Sequence, residues 1–423
     1  MMSREHVRDS LWVLPALSVV GALGAGAVLS AANLDAGSPL AFQGTPDDAR
    51  TLLIGIAGTM VTVIALLLGL TVVALQLSST QYSPRLLRNF LRDRPNQLVL
   101  SACVATFAYS TAGLYTVGVS GGSRTTEFPR LAVTGAIVLL FVSLGMLVFF
   151  ADHLGHSIQI DSIMAVVERN TLAVIRGGLL EGGGTGSPVA ATALAVPAPR
   201  SGYVQVVRVE RMLAAARGGG LRVRLRPRPG EHVVAGTTLL WIWPATTARP
   251  AATATVPEAL VHAVHIGRER TFDQDAAFGF RQLTDMACKA LSPAVNDPYT
   301  AVQAIERLSV LFRVLATRPL GCHVDRDPGG AEVTVPGWTF GEYLATMSGL
   351  IRRYGAAEPT VVTALLRLLS TCAAVDGPDP GRPAAIEEQA RLLVEDAERE
   401  VRQPADLREV RAAAAAVRAG LDR

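Results

Sequence analysis

Hydrophobic and polar positions divide this chain into two unlike halves. Residues 10–34, 51–84, 95–123 and 131–151 contain no Asp, Glu, Lys or Arg and are rich in Leu, Val, Ala and Gly. A helix rises about 1.5 Å per residue, so roughly 20 apolar residues cross the ~30 Å hydrocarbon layer of a bilayer. All four stretches reach that length. The pattern predicts four spanning helices, at about 11–32, 52–78, 97–120 and 130–151, within a transmembrane domain of residues 1–152. The first apolar run is longer than the core of a secretory signal, which favours a retained span. The second exceeds what a bilayer requires, and its tail Gln76–Pro84 is polar but uncharged, as a helix emerging from the membrane and broken near Pro84 would be.

Beyond the fourth run the periods change. Residues 153–188 read as a connecting helix followed by a linker rich in Gly, Ser and Thr and poor in bulky residues, at 177–188. Residues 189–250 hold short alternating segments, 202–208, 221–226, 232–234 and 238–243, punctuated by Pro229-Gly230 and Ala235-Gly236; these predict a small β module. From 251 to 423 the spacing turns helical, with candidates at 257–266, 276–291, 298–317, 338–354, 359–374, 384–402 and 405–421, and breaks at 321–336 and 376–383. The fold class expected is an integral membrane α-helical protein with a cytosolic α+β domain, a β module followed by a helical domain.

Composition narrows the function classes. Of 423 residues 50% are hydrophobic and 18% charged, which excludes a disordered or nucleic-acid-coating chain. The net charge of +3 decides nothing, but its placement does. Arg85, Arg88, Arg92 and Arg94 crowd the loop after the second run, against Asp35, Asp47 and Asp48 in the loop before it. By the positive-inside rule the arginine-rich loop is expected to be cytoplasmic, and both termini follow it there. Four scattered cysteines give neither a disulfide framework nor a zinc site, and no cofactor motif is present.

Three stretches carry a resemblance: Leu77-Ser-Ser-Thr-Gln-Tyr-Ser-Pro-Arg-Leu-Leu-Arg-Asn-Phe-Leu-Arg-Asp93, Gly267-Arg-Glu-Arg-Thr-Phe-Asp-Gln-Asp275 and Ala290-Leu-Ser-Pro-Ala-Val-Asn-Asp-Pro-Tyr-Thr-Ala301. With Ser157–Gln159, Pro199–Tyr203, Arg226–Gly230 and Arg353–Gly355 they resemble the bacterial predicted-membrane-protein family catalogued as domain of unknown function 2254. The resemblance implies a multi-span N-terminal half and a soluble C-terminal half, and no chemistry. Gly230–Leu239 is similar to the turn of biotinyl and lipoyl carrier modules, but no lysine is there to take a cofactor.

Candidate sites follow from residue type and spacing. The spans hold no interior charge or histidine from which to build a proton relay. Thr59, Thr62 and Gln76 in the second run would line a pore between copies of the chain, although small and hydroxylated stripes more often serve helix packing. Asp152, His153 and His156, and separately Asp273 and Asp275, are weak metal-ligand patterns, against the plainer account of polar residues at a span end and in a charged loop. Arg268, Arg270, Asn296 and Asp297 are the expected pocket for a small anionic ligand; Asp297 followed by Pro298 also reads simply as a helix N-cap. Arg281, Asp285 and Lys289 form an i, i+4, i+8 ion ladder. Together these predict a homo-oligomeric, channel-like or sensor protein in contact with membrane lipids, gated or assembled by its cytosolic domain, with no nucleic-acid partner. The rivals are a membrane-anchored metal-dependent enzyme and a non-catalytic scaffold.

Overall fold

The computed structural model describes residues 13–31, 40–81, 94–117, 128–157, 159–245 and 258–422. The chain divides into two compact units, Met1–Ser162 and Ile163–Arg423.

The first unit is built from α1 (Val13–Ala31), α2 (Pro46–Gln81), α3 (Arg94–Val117) and α4 (Arg130–Ser157). All four are long and apolar enough to span a membrane. Thr45 and Asp48 start α2 reciprocally: the Asp48 amide donates to the Thr45 hydroxyl (3.2 Å) and the Thr45 amide to the Asp48 carboxylate (2.9 Å). Apolar side chains such as Ile54, Val61, Leu66 and Phe141 point outward, as lipid-facing positions do when the solvent is hydrocarbon. The helix that packs most extensively against the other three is α3, and it carries most of the buried polar groups. The Thr106 and Ser143 hydroxyls lie 2.7 Å apart between α3 and α4, Tyr109 donates to the Ala132 carbonyl (2.9 Å), and Ser18 of α1 donates to the Ser101 carbonyl (3.0 Å). In a bilayer such bonds tie helices that share no hydrophobic driving force. The sequence pattern drew attention to the hydroxyls of the second run; the interhelical bonds belong to the third.

The second unit opens with α5 (Ile160–Ala173) and a π-helical turn at Val174–Gly178. β1 (Leu194–Pro197), β5 (Thr238–Pro244), β3 (Leu221–Leu225), β8 (Glu332–Val335) and β7 (His323–Arg326) form one sheet in that order, and β4 (His232–Val233), β2 (Gly202–Val207) and β6 (Val264–Gly267) a second. In the first sheet β3 runs parallel to β8, pairing Arg222 with Glu332 and Arg224 with Thr334. Leu221, Val223 and Leu225 alternate inward and meet Met212 and Ala216 of α6 (Val209–Gly219), Ile242 and Val333 in one apolar core. Two expectations change here. The helix predicted at 257–266 stops at α7 (Glu258–His262) and becomes β6, whose alternation of buried Val264 and Ile266 with exposed His265 has a period of two. The break predicted at 321–336 contains the β7–β8 hairpin, so the sheet draws strands from before the run of helices and from within it.

Those helices are α8 (Ala276–Ala290), α9 (Pro298–Leu315), α10 (Phe340–Gly355), α11 (Pro359–Ala373), α12 (Arg382–Glu400) and α13 (Pro404–Leu421). Their core is aromatic at the centre: Phe280 stands 4.7 Å from Phe312 and 5.2 Å from Tyr343 between ring centroids.

The Gly/Ser-rich stretch 177–188, read as a linker, runs as a strap across the sheet. The amides of Gly182 and Gly184 donate to the carbonyls of Pro319 and Cys322 (2.8 and 3.0 Å). A Cβ on Gly184 would press into Val324, and one on Gly186 into Thr334. These glycines permit close packing rather than freedom.

Candidate functional site

The most elaborate polar constellation described lies where β2, β6 and the helices meet. β6 releases the chain into the loop 268–274, and Asp275 ends that loop as the N-cap of α8, accepting the Phe278 amide at 3.1 Å. The same carboxylate takes Arg270 in a fork, Nε to Oδ2 at 2.7 Å and Nη2 to Oδ1 at 2.9 Å. Only 2% of the Asp275 side chain is exposed. Burial pushes its carboxyl above the ordinary value, and the Arg270 guanidinium works against that rise. On the other side Gly230 has φ +88°, and a Cβ there would overlap the Asp275 carboxylate. Glycine is therefore required twice, for the backbone and for the space.

Two residues earlier, Arg228 pairs with Glu342 at 2.7 Å and stacks its guanidinium 4.9 Å from the Trp338 ring centroid. Glu342 is itself the third residue of a capping box with Thr339 at the start of α10. Burial raises its carboxyl, but the Thr339 amide and Arg228 outweigh that and hold it below the ordinary value. Next along, Tyr343 is buried and its hydroxyl is pushed up, first by burial and then by the nearby Asp275 charge. Arg228, Gln274, Asp275, His323, Trp338 and Tyr343 contribute to the wall of a cavity of about 30 Å³. That is room for a water or two. The chemistry available is binding and locking: both arginines are committed to carboxylates.

The residues expected to form an anion pocket do not come together. Arg268 is exposed and Arg270 is spent on Asp275. Asn296, at φ +48°, and Asp297, the N-cap of α9, lie beyond the far end of α8. Fifteen residues of helix separate the two pairs, or about 22 Å. Asp297 accepts the Thr300 amide (3.1 Å) and hydroxyl (2.6 Å), and these bonds hold its carboxyl below the ordinary value. Asp273 is exposed and accepts the Thr271 hydroxyl, while Asp275 is inside the Arg270 fork. His153 stacks on Phe149 with ring centroids 5.8 Å apart; the His156 side chain lies outside what is described. Among the described residues no three His, Cys, Asp or Glu are grouped to hold a metal. Thr59 and Thr62 are exposed on α2 and donate to the carbonyls of Gly55 (2.8 Å) and Gly58 (3.4 Å) of the same helix; Gln76 is exposed further along it. Arg85, Arg88 and Arg92 lie outside the described residues. Within the ladder Arg281 pairs with Asp285 at 3.1 Å.

The structure does bring together one of the three main stretches on which the resemblance rests, Gly267–Asp275, and two of the shorter ones. Tyr203 pairs with Gly267 across β2 and β6, and Arg226–Gly230 abuts Asp275. The sequence profile of a predicted membrane protein family, DUF2254, matches residues 8–371. The chain belongs to that family. An uncharacterized protein of Mycobacterium bovis and one of Mycobacterium tuberculosis are each 44% identical to it over 423 positions, covering 97% of this chain and 80% of the relative. No solved structure matches. This DUF2254 member is thus a predicted membrane protein with four candidate spans. Arg228, Glu342, Trp338 and Tyr343 escaped the sequence reading because their partners are more than a hundred positions apart or sit inside ordinary amphipathic spacing.

Proposed function

We propose that this protein is a homo-oligomeric sensor or channel-like protein of the cytoplasmic membrane, whose soluble unit lies in the cytoplasm and sets the state of the spans. The orientation is supported by the arginines at 85, 88, 92 and 94. The observation that carries the reading is the strap. The segment that follows α5 is pinned along the sheet by backbone hydrogen bonds and by Glu332, and its start, Leu179 and Leu180, lines the cavity beside Asp275 and Tyr343. A change at that cavity is therefore felt by the polypeptide that continues from the last span.

The meeting surface between copies is the outer face of α2. Gly55, Gly58 and Gly69 have open space beside them, and the hydroxyls of Thr59 and Thr62 are already satisfied. A face of small residues lets backbones approach. Purified protein in liposomes, with Cys introduced at Thr62 and oxidised, should give a cross-linked oligomer, and loosening the strap by Glu332→Ala should change either the cross-linking yield or ion flux. A strictly monomeric protein, or one whose spans are indifferent to the strap, would remove this reading.

A further inference from the structure

On the face of the sheet that the strap crosses, positive charge is left over. Arg222 and Arg224 point from β3 and Arg326 from β7, while Glu332 stands between them on β8 as a carboxylate only 4% exposed. Arg326 is answered by Glu332 at 2.8 Å and by the Thr185 carbonyl at 2.7 Å. Arg222 and Arg224 reach only neutral oxygens of one residue: the Ser187 hydroxyl from Arg222 Nη1 and the Ser187 carbonyl from Arg224 Nη1, each at 3.3 Å. Arg222 Nε is buried with no acceptor among the described residues. Three guanidinium groups against one carboxylate leave a charge of two, gathered around a serine hydroxyl in a half-exposed glycine-rich strap.

We propose that Ser187, Arg222, Arg224 and Arg326 form a phosphate site. A dianionic phosphate neutralises the surplus charge and offers acceptors to the Nε of Arg222 and to both Nη1 groups, which otherwise make long bonds to neutral oxygens. Glu332 opposes the anion: it accepts the Ser187 amide at 2.7 Å and the Ser187 hydroxyl at 3.0 Å, so the phosphate must take the place of that hydroxyl bond, and three arginines outnumber this one carboxylate. The phosphate has two possible sources with the same chemistry. In one it is carried by Ser187 itself: the Oγ attacks the terminal phosphorus of a nucleoside triphosphate held by a protein kinase. The Oγ–P bond forms as the bond from that phosphorus to the bridging oxygen breaks, the hydroxyl proton passes to the kinase's base, and nucleoside diphosphate leaves. In the other it is a free phosphate group captured from solution. The site stands whether or not the strap signals to the spans.

Two measurements separate the sources. Mass analysis of the intact protein, isolated from the cells that make it, and of its peptides tests for phosphoserine at 187. Thermal unfolding of the unmodified full chain in detergent, with inorganic phosphate replacing chloride at constant ionic strength, tests for capture. The site predicts either a Ser187 phosphopeptide or a rise of several degrees with phosphate, the latter abolished in Arg222→Gln and in Arg224→Gln, which keep more of the side chain and its polarity should alanine variants fail to fold. If Ser187 is modified, protein carrying phosphoserine there should resist proteolysis of the strap at least as well as the unmodified chain. An unmodified Ser187 together with no phosphate-dependent shift overturns the proposal, and so does a phosphoserine that frees the strap in the presence of all three arginines.

Discussion

Replacing Gly230 with alanine puts a methyl group where the Asp275 carboxylate stands. Two costs arise. The left-handed φ of +88° disfavours any residue with a Cβ, by about 1 kcal/mol. The methyl must also drive Asp275 away from Gly230, and with it the Arg270 fork and the cap of α8. Separating a buried ion pair costs about 3–5 kcal/mol when one charge loses its partner, but Arg270 is 21% exposed and can find water, so the low end applies. The expected loss is about 4 kcal/mol. For a unit of this size that corresponds to a fall in melting temperature of roughly 10 °C. Thermal unfolding in detergent followed by tryptophan fluorescence reads mainly the second unit, since three of the four tryptophans, Trp241, Trp243 and Trp338, lie in it. A Gly230→Ala protein melting within about 2 °C of wild type would refute the argument that Asp275 is locked between Gly230 and Arg270.

Four further outcomes follow. Arg270→Ala should cost about 3 kcal/mol, whereas Arg268→Ala should cost under about 0.5 kcal/mol, because only the first leaves a buried carboxylate alone; chemical denaturation of both variants checks the contrast. Gly184→Val should open the strap, so that trypsin cuts at Arg176 at least several-fold faster than in wild type; equal rates would mean that the packing of Gly184 against Val324 does not hold the strap down. The carboxyls of Glu332 and Glu342 are both lowered from 4.5, by hydrogen bonds and arginines that outweigh burial. Their stabilisation is therefore present above the ordinary carboxylate value and is lost as pH falls below it through the folded values; Glu332→Gln should flatten the acid limb of stability against pH, even though the raised Asp275 acts in the opposite sense. Thr106→Val should weaken the α3–α4 contact by about 0.6–1.7 kcal/mol, seen as earlier unfolding of the spans in detergent.

The spans were legible because the bilayer imposes one rule on composition over some 20 residues, and a charge-free run records it. The helices of the soluble unit were legible for a similar reason: Asp297-Pro298 is read as a cap from two adjacent letters, and the cap is there. The strands at 323–326 and 332–335 were not. Each is four residues long, and what makes β8 a strand is β3, more than a hundred positions earlier. Glycine misled for a different reason. In Glu181–Pro188 the absence of side chains signals flexibility when the sequence is read alone, whereas Val324 and Thr334 occupy the space that the missing methyl groups leave. The candidate pocket failed on geometry. Arg268, Arg270, Asn296 and Asp297 are close along the chain, but a whole helix stands between the two pairs. Arg270 and Asp275 were both named, and neither could be assigned its role until Gly230 was found beside them.

The parallel pairing of Arg222–Arg224 with Glu332–Thr334 ties an early strand to one from beyond the α8–α9 hairpin. A ribosome must therefore deliver more than a hundred residues before the central strand acquires its second neighbour, and until then that edge is bare and apt to pair with whatever strand is near. Fragments that end between the β-rich stretch and the helices should accordingly clump in the test tube. Any attempt to express the second unit by itself does best to begin near Ile163 and carry through the last helix, α13.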